Sequence, residues 1–159
     1  MEETNLRDKT CFFCGHRDLP EVLYPEVQLK LEREILALID HGVIYFGVGA
    51  AVGFDTLAAL TVLKIKRHHP QVKLALILPC KNHDFGQDAP ELFEQISTGA
   101  DKIVYTAERY FNGCMYKRNR QMAGASAWCV CYLDRDTGTT AYTVNYAQSL
   151  GVQIVNLAK

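Results

Sequence analysis

The sequence predicts a three-layer α/β sandwich built on a mostly parallel sheet of about six strands, and three observations lead to this prediction. Short apolar runs alternate with segments of helical periodicity from residue 10 to the end of the chain. The runs are nearly continuous in apolar residues, as expected for strands that are covered on both faces. Each run ends at a glycine, a proline or a polar turn. Strands that alternate with helices form right-handed βαβ units, and these units build a parallel sheet.

The predicted strands follow the apolar runs at residues 10–14, 43–46, 73–78, 102–105, 128–133 and 152–155. The predicted helices lie between them, at residues 25–41, 54–68, 90–96, 115–125 and 140–150. Pro25 suits the first position of a helix, and Gly42 is a typical stop signal after one. We expect a flexible tail at residues 1–9 and a single domain of Rossmann-like architecture over residues 10–159.

Length and composition are typical of one globular domain. The chain has 159 residues, of which 48% are hydrophobic and 22% are charged. The formal net charge is −1, which argues against nucleic acid and anionic membranes as partners. No apolar run approaches the roughly 20 residues that span a bilayer. The first ten residues lack the apolar core of a signal peptide, so we expect a cytoplasmic protein with no membrane partner.

Six cysteines are present, and their surroundings favour buried thiols over disulfides or metal ligands. Without a secretory signal, a disulfide framework is not expected. Cys11 and Cys14 fall on one predicted strand, where an odd spacing points them to opposite faces. No second cysteine pair at a zinc-type spacing completes a set of four ligands. The sequence therefore predicts no metal site and no required cofactor.

The turn after the first strand holds the first candidate site residues, because ligands of open α/β sheets bind beyond the carboxyl ends of the strands. This turn contains Gly15, His16 and Arg17. Glycine lets the backbone approach a ligand, and arginine can bind a phosphate or a carboxylate through two hydrogen bonds. Histidine can bind a ribose hydroxyl or act as an acid or base. The alternative is a solvated turn with a surface arginine.

The second strand is followed by a Gly-rich turn over residues 47–55. Gly49, Ala50 and Gly53 are small enough to expose backbone N–H groups, and a helix N-terminus beside them favours an anion. The spacing is one residue longer than that of a strict G-x-G-x-x-G motif. Asp55 either contacts a ribose or takes part in catalysis, or it only stabilises the first helical turn.

Two further segments supply hydroxyl groups and positive charge. Gly138, Thr139 and Thr140 open the last predicted helix, where either a phosphate or a threonine cap can use the free N–H groups. The basic segment at residues 117–120 lies early in a helix, where cations oppose the helix dipole. We therefore expect an anionic ligand or partner, with Arg118 and Arg120 as its contacts.

These motifs together resemble those of the SLOG superfamily, whose Rossmann-like fold is shared by Smf/DprA proteins and LOG phosphoribohydrolases. The resemblance rests on residues 15–17, 49–59, 113–122 and 138–140, and it extends over about residues 9–157. The branch that the chain most resembles is the YpsA-like family. The resemblance implies a nucleotide-derived ligand held by the glycines of the second turn and by the final Gly-Thr turn.

The resemblance also implies an activity to weigh. In LOG-type enzymes, an Arg in a Met-x-x-Arg-x-x-x-Met helix acts beside a Glu that follows a P-G-G-x-G-T loop. Residues 115–122 reproduce the helix, so Arg118 corresponds to that Arg. The loop at Gly138 lacks the Pro-Gly-Gly, and no Glu stands where the pattern requires one. Glycosidic cleavage needs a carboxylate, which Asp55 or Asp134 would have to supply.

The sequence leaves three functional hypotheses open. The first is a sensor or regulator that binds a nucleotide or a nucleotide-derived phosphate ligand. The resemblance to LOG-type proteins also implies that the protein forms a homodimer. The second is a hydrolase of N-glycosidic or phosphate-ester bonds, with Asp55, Arg118 and His16 as catalytic candidates. The third is single-stranded DNA binding, as in Smf/DprA proteins. Tyr110 and Phe111 could stack one base, but the net charge argues against nucleic acid.

Overall fold

The computed structural model describes residues 6–49, 52–81 and 90–159, which form one all-parallel sheet and five α-helices. The strands are β1 (Thr10–Gly15), β2 (Tyr45–Val48), β3 (Lys73–Leu78), β4 (Lys102–Tyr105), β5 (Trp128–Tyr132) and β6 (Gln153–Asn156). The helices are α1 (Tyr24–Asp40), α2 (Phe54–Lys66), α3 (Pro90–Gly99), α4 (Cys114–Gly124) and α5 (Thr139–Ser149). The strand order is β4-β3-β2-β1-β5-β6, so the predicted fold class is confirmed.

The helices form two layers, one on each face of the sheet. Helices α1, α2 and α3 pack on one face, where Phe13 and Phe46 are fully buried. Helices α4 and α5 pack on the other face, around Phe12, Met122 and Val144. Adjacent residues of a strand point to opposite faces, which is why Phe12 and Phe13 belong to different cores. The predicted three-layer sandwich is therefore present.

The strand order places a topological switch point between β1 and β5. From β1 the chain builds outward through β2 and β3 to β4, and then it crosses back to place β5 on the other side of β1. Ligands of open α/β sheets bind at such a point, beyond the carboxyl ends of the strands. The turns after β1, β2 and β5 and the N-termini of α2, α4 and α5 all lie at this edge.

The second strand begins two residues later than the predicted range of 43–46. Gly42 has φ +96°, and the N–H of Val43 donates to a carbonyl of the last turn of α1 at 3.0 Å. Val43 therefore completes the cap of α1 and is not available to the sheet. Gly47, which the sequence assigned to the turn, pairs with both neighbouring strands as part of Tyr45–Val48.

The start of the described chain is attached to the sheet and to α5. Residues Arg7–Lys9 form a short 3-10 helix before β1. The Arg7 carbonyl accepts a hydrogen bond from the N–H of Ala127 at 2.9 Å, and its guanidinium donates to the carbonyl of Leu150 at 3.1 Å. Of the predicted tail, residues 1–5 lie outside the described residues. Among residues 6–49, 52–81 and 90–159, none of the helices combines the length and the hydropathy that a membrane span requires.

All six cysteines are buried and carry free thiols. Cys11 and Cys14 lie in the cores on opposite faces of the sheet, as predicted. The Sγ atoms of Cys14 and Cys129 are 3.8 Å apart. Burial raises the pKa of the Cys11 and Cys129 thiols, which keeps them protonated and unreactive. They act as small apolar core residues.

Candidate functional site

Arg118 is the buried centre of the candidate site. It lies in the second turn of α4 and is only 6% exposed. Its Nε donates to Oδ1 of Asn119 at 2.7 Å, and its Nη1 donates to the carbonyl of Ile77 at 3.1 Å. Burial lowers the pKa of the guanidinium, and the nearby carboxylate of Asp55 opposes this effect. Because arginine stays protonated in proteins, a fixed positive charge lies just below the carboxyl edge of the sheet.

Gly49 brings the turn after β2 against this charge. A Cβ atom at Gly49 would lie 2.5 Å from Nη1 of Arg118 and 3.1 Å from Oδ2 of Asp55, so a larger residue would displace the guanidinium. Asp55 is the second residue of α2 and is 6% exposed. The structure therefore brings together the three predicted residues Gly49, Asp55 and Arg118. Ala50, the other small residue predicted here, lies outside the described residues.

A chain of hydrogen bonds connects Arg118 to the start of α5. Asn119 accepts from Arg118 through Oδ1 and donates from Nδ2 to Oγ1 of Thr143 at 3.0 Å. The hydroxyl of Thr143 donates to the carbonyl of Thr139 at 2.9 Å. We call the hydrogen-bonded chain of Arg118, Asn119, Thr143 and Thr139 the relay. Sequence reasoning misses Asn119 and Thr143, because their only signal is a polar residue at a buried helix position.

Three helices at this edge begin on glycine N-caps. These glycines, all with positive φ, are Gly53 before α2 (+82°), Gly113 before α4 (+92°) and Gly138 before α5 (+97°). Glycine has no side chain to accept from the first N–H groups of a helix. The first N–H of α2, at Phe54, donates to the carbonyl of His16 at 3.3 Å. N-termini of this kind carry partial positive charge and favour anions.

Packing alone requires glycine at positions 15 and 53. A Cβ atom at Gly15 would collide with the ring of Phe54. A Cβ atom at Gly53 would lie 2.5 Å from the carbonyl oxygen of Arg17 and 2.7 Å from that of His16. Both glycines therefore allow the turn after β1 to lie against the start of α2. Their contact with a ligand stays a prediction.

His16 bridges the turns after β1 and β5. Its Nε2 lies 3.0 Å from Oδ1 of Asp134 and accepts from the backbone N–H of the same residue at 3.2 Å. Arg135 binds the carboxylates of Asp134 and Asp18 at 2.9 and 3.2 Å. Burial, and secondarily the charge of Arg135, lowers the pKa of His16. The neutral imidazole is therefore favoured, with Nε2 as an acceptor. Arg17 is exposed beside this cluster.

The lowered pKa of His16 predicts a pH-dependent contribution to stability. Its pKa in the folded state lies below the ordinary 6.5, so near and below that pH the unfolded chain binds more protons. The free energy of unfolding then falls as the pH decreases below about 6.5. We expect His16→Gln to flatten this dependence in urea unfolding between about pH 5.5 and 7.5, while the exposed His68→Gln retains it. Equal slopes for wild type and His16→Gln would contradict the assignment.

The structure separates Arg120 from Arg118. Two residues along a helix correspond to a rotation of about 200°, and Nη1 of Arg120 donates to the hydroxyl of Tyr142 at 3.2 Å on the outer side of α4 and α5. Thr139 is exposed at the first position of α5, and Thr140 is buried below it. Thr139 therefore joins the Arg118 cluster through the relay, whereas Arg120 belongs to the outer surface.

An open pocket of about 660 Å³ lies on the opposite side of α5. Its lining includes Asp134, Arg135, Ala141 and Lys159. Ala141 lies two residues from Thr143 on the helix and so points away from the relay. The pocket and the Arg118 cluster are therefore separate features.

Comparison with known proteins decides the family. Residues 17–153 match the model of the YpsA family, which is described as the YspA SLOG family. The chain belongs to the YpsA SLOG family. The resemblance stated from the sequence motifs is confirmed, and the matched range contains Gly49, Asp55 and Arg118.

Two curated relatives illustrate the similarity of this YpsA SLOG protein to known sequences. A UPF0398 protein of Halalkalibacterium halodurans is 26% identical over 127 residues, which cover 77% of this chain and 67% of the relative. The SPbeta prophage-derived protein YoqJ of Bacillus subtilis is 27% identical over 150 residues, which cover 81% of this chain and 88% of YoqJ.

Two solved structures share the fold of this YpsA SLOG chain. DNA processing protein A (DprA) from Streptococcus pneumoniae matches with a TM-score of 0.69 and 16% identity, over 94% of this chain and 50% of that chain. DprA from Helicobacter pylori matches with a TM-score of 0.67 and 19% identity, over 95% of this chain and 66% of that chain. The chain thus spans half to two thirds of these proteins.

The expectation that nucleic acid is not a partner is wrong. The Helicobacter pylori structure is described as showing a single-stranded DNA binding mode of DprA, so a protein that shares this fold binds nucleic acid. The expectation rested on a net charge of −1, which is an average over the whole chain. Helices α4 and α5 contain no Asp or Glu, whereas α1 contains four. The net charge therefore does not describe the field at one face of the molecule.

Proposed function

We propose that the protein binds a nucleotide or a nucleotide-derived phosphate ligand at the carboxyl edge of the sheet, as a sensor or regulator. The observation that carries this proposal is the buried Arg118 near the start of α4, which lies beside Asp55 of the first turn of α2 and is connected to the first turn of α5 by hydrogen bonds. A helix N-terminus alone attracts anions only weakly, but a desolvated guanidinium adds charge-assisted hydrogen bonds of high geometric specificity. A phosphate group fits both features.

The guanidinium has donor capacity for a phosphate. Its Nε and Nη1 are held by Asn119 and Ile77, which fix its plane. Its Nη2 lies 3.9 Å from Sδ of Met115, and a thioether is a weak acceptor. A phosphate oxygen in place of the sulfur would form a much stronger bond with the same donor. Arg118 is therefore positioned before the ligand arrives, which reduces the entropic cost of binding.

Asp55 and the start of α5 complete the site. The carboxylate of Asp55 lies beside Arg118 at Gly49 and can accept hydrogen bonds from ribose hydroxyls. Thr139 offers an exposed hydroxyl and the first N–H of α5 to the phosphate. Because the relay joins Thr139 to Arg118, we expect the two phosphate contacts to act as one unit.

Single-stranded DNA binding is the second candidate function. It is favoured by the fold shared with DprA of Helicobacter pylori, whose structure is described by its single-stranded DNA binding mode. The same chemistry supports it, since a phosphodiester group would also be bound by Arg118 and the N–H groups of α5. The two candidates differ in whether one nucleotide is sufficient for binding.

Titration calorimetry with a panel of nucleoside phosphates, dinucleotides and ADP-ribose tests the proposal. We expect one class of ligand to bind wild type. In urea unfolding, the same ligand at a hundredfold excess over Kd should raise the free energy of unfolding by about 2.7 kcal/mol. Arg118→Met and Thr139→Pro should each weaken binding at least about tenfold, since each removes a phosphate donor. Proline is tolerated at the first position of a helix, so Thr139→Pro tests the site if Arg118→Met fails to fold.

The exposed Arg33→Met in α1 is the matched control and should bind as wild type does. Chromatography of the ligand after incubation separates a sensor, which leaves it unchanged, from a hydrolase that uses Asp55, Arg118 or His16. Equal affinity in all variants would contradict the assignment of Arg118 and Thr139 to the binding site. Failure of every small ligand, with retained oligonucleotide binding, would support the second candidate in its place.

A further inference from the structure

Helices α4 and α5 share a surface that we call the tyrosine face, with Tyr116 and Tyr142 exposed and Arg120 and Tyr146 half-buried. The rings of Tyr116 and Tyr142 meet edge to face with centroids 5.0 Å apart, and those of Tyr142 and Tyr146 stack at 6.4 Å. Tyr116 is 38% exposed and Tyr142 is 39% exposed. Large aromatic side chains left open to solvent in this way are typical of binding surfaces.

The two helices that form the tyrosine face carry charge of one sign. Helix α4 contributes Lys117 and Arg120 beside the rings, and neither α4 nor α5 contains an acidic residue. The guanidinium of Arg120 is fixed on the hydroxyl of Tyr142 at 3.2 Å, so a cation stands at the edge of the aromatic rings. Positive charge interleaved with stacking rings is the combination used to bind single-stranded nucleic acid.

We infer that the tyrosine face binds single-stranded nucleic acid, with bases stacked on Tyr116 and Tyr142 and phosphates bound by Arg120 and Lys117. The inference rests on the second candidate function, and it adds a surface distinct from the Arg118 site. Both helices begin at the carboxyl edge of the sheet, and Tyr116 and Tyr142 lie in their first turns. A single-stranded nucleic acid bound to the tyrosine face would therefore have one end next to the Arg118 site.

A second copy of the chain is a poorer occupant of the tyrosine face. Two such faces in contact would bring the cations Arg120 and Lys117 of both copies into one interface, and α4 and α5 offer no carboxylate to offset the repulsion. A polyanion would instead be attracted to Arg120 and Lys117. Charge complementarity therefore selects nucleic acid over self-association.

The test is fluorescence anisotropy of a labelled oligo(dT) of about 20 nucleotides with the full chain. We expect Tyr116→Ala and Tyr142→Ala each to weaken binding about tenfold, because each removes one stacking platform. Tyr142→Phe should bind within about twofold of wild type, since the ring that stacks is retained. Arg120→Gln should reduce the dependence of log K on log salt by about 0.7, the contribution of one phosphate contact.

Tyr45→Ala is the matched control. Tyr45 is likewise 38% exposed, but it begins β2 at the opposite edge of the sheet, and its replacement should leave oligonucleotide binding unchanged. Binding that depends on Arg118 and not on the tyrosines would retain the second candidate function and overturn this inference. Absent oligonucleotide binding, or a dimer in light scattering that Tyr142→Ala dissociates, would overturn it as well.

Discussion

Replacement of Gly53 by alanine is expected to lower the free energy of unfolding by about 4 kcal/mol. Two independent effects add at this position. Gly53 has φ +82° and ψ −126°, a conformation that residues with a Cβ atom rarely adopt. The new methyl group would also lie 2.5 Å from the carbonyl oxygen of Arg17, which is backbone and cannot rotate away. The turn after β1 must therefore move, and it would carry His16 with it.

Gly42→Ala separates these two effects. Gly42 has φ +96°, but a Cβ atom there meets no atom within 4 Å. We expect this control to lose only about 1–2 kcal/mol, the cost of the left-handed conformation. Urea unfolding with linear extrapolation measures both variants. Equal losses at Gly42 and Gly53 would show that the contact with the turn after β1 carries no energy.

Replacement of Asn119 by leucine is expected to cost about 3 kcal/mol of unfolding free energy and to weaken phosphate binding. Leucine has a similar volume, so the main change is chemical. The Nε–H of Arg118 loses its acceptor, and Oγ1 of Thr143 loses a donor, both at buried positions. Each unsatisfied buried group costs about 1–3 kcal/mol. Arg118 is then held only by its contacts with Ile77 and Met115.

A double-mutant cycle with Thr143→Val tests whether the relay acts as one unit. Removal of either residue interrupts the same hydrogen-bond chain, so the losses in the double variant should be about 1 kcal/mol smaller than their sum. Asn145→Leu, at an exposed position of α5, should change stability by less than about 0.5 kcal/mol. Strict additivity of Asn119→Leu and Thr143→Val would contradict the relay.

Local patterns in the sequence predict most of the architecture and part of the site. The apolar runs place all six strands because a buried parallel strand needs apolar residues on both faces. The error at β2 arises because Val43 is apolar and yet serves the cap of α1. Gly49 and Asp55 stand out in the sequence because glycine and charge after a strand are typical of a binding edge. Arg118 stands out because a cation early in a helix opposes the helix dipole. Their mutual contact is a finding of the structure.

The sequence by itself determined the alternation of strands and helices, the position of the candidate site residues at the carboxyl edge, and the buried state of Cys11 and Cys14. Only the tertiary structure decided which charges meet. It buried Arg118 beside Asp55, and it placed Arg120 with Tyr142 on two helices that contain no acidic residue. The reason is that periodicity and turn chemistry are local, whereas contacts between side chains depend on how separate elements pack. The net charge is a sum over the whole chain, so it contains no information about where the individual charges lie.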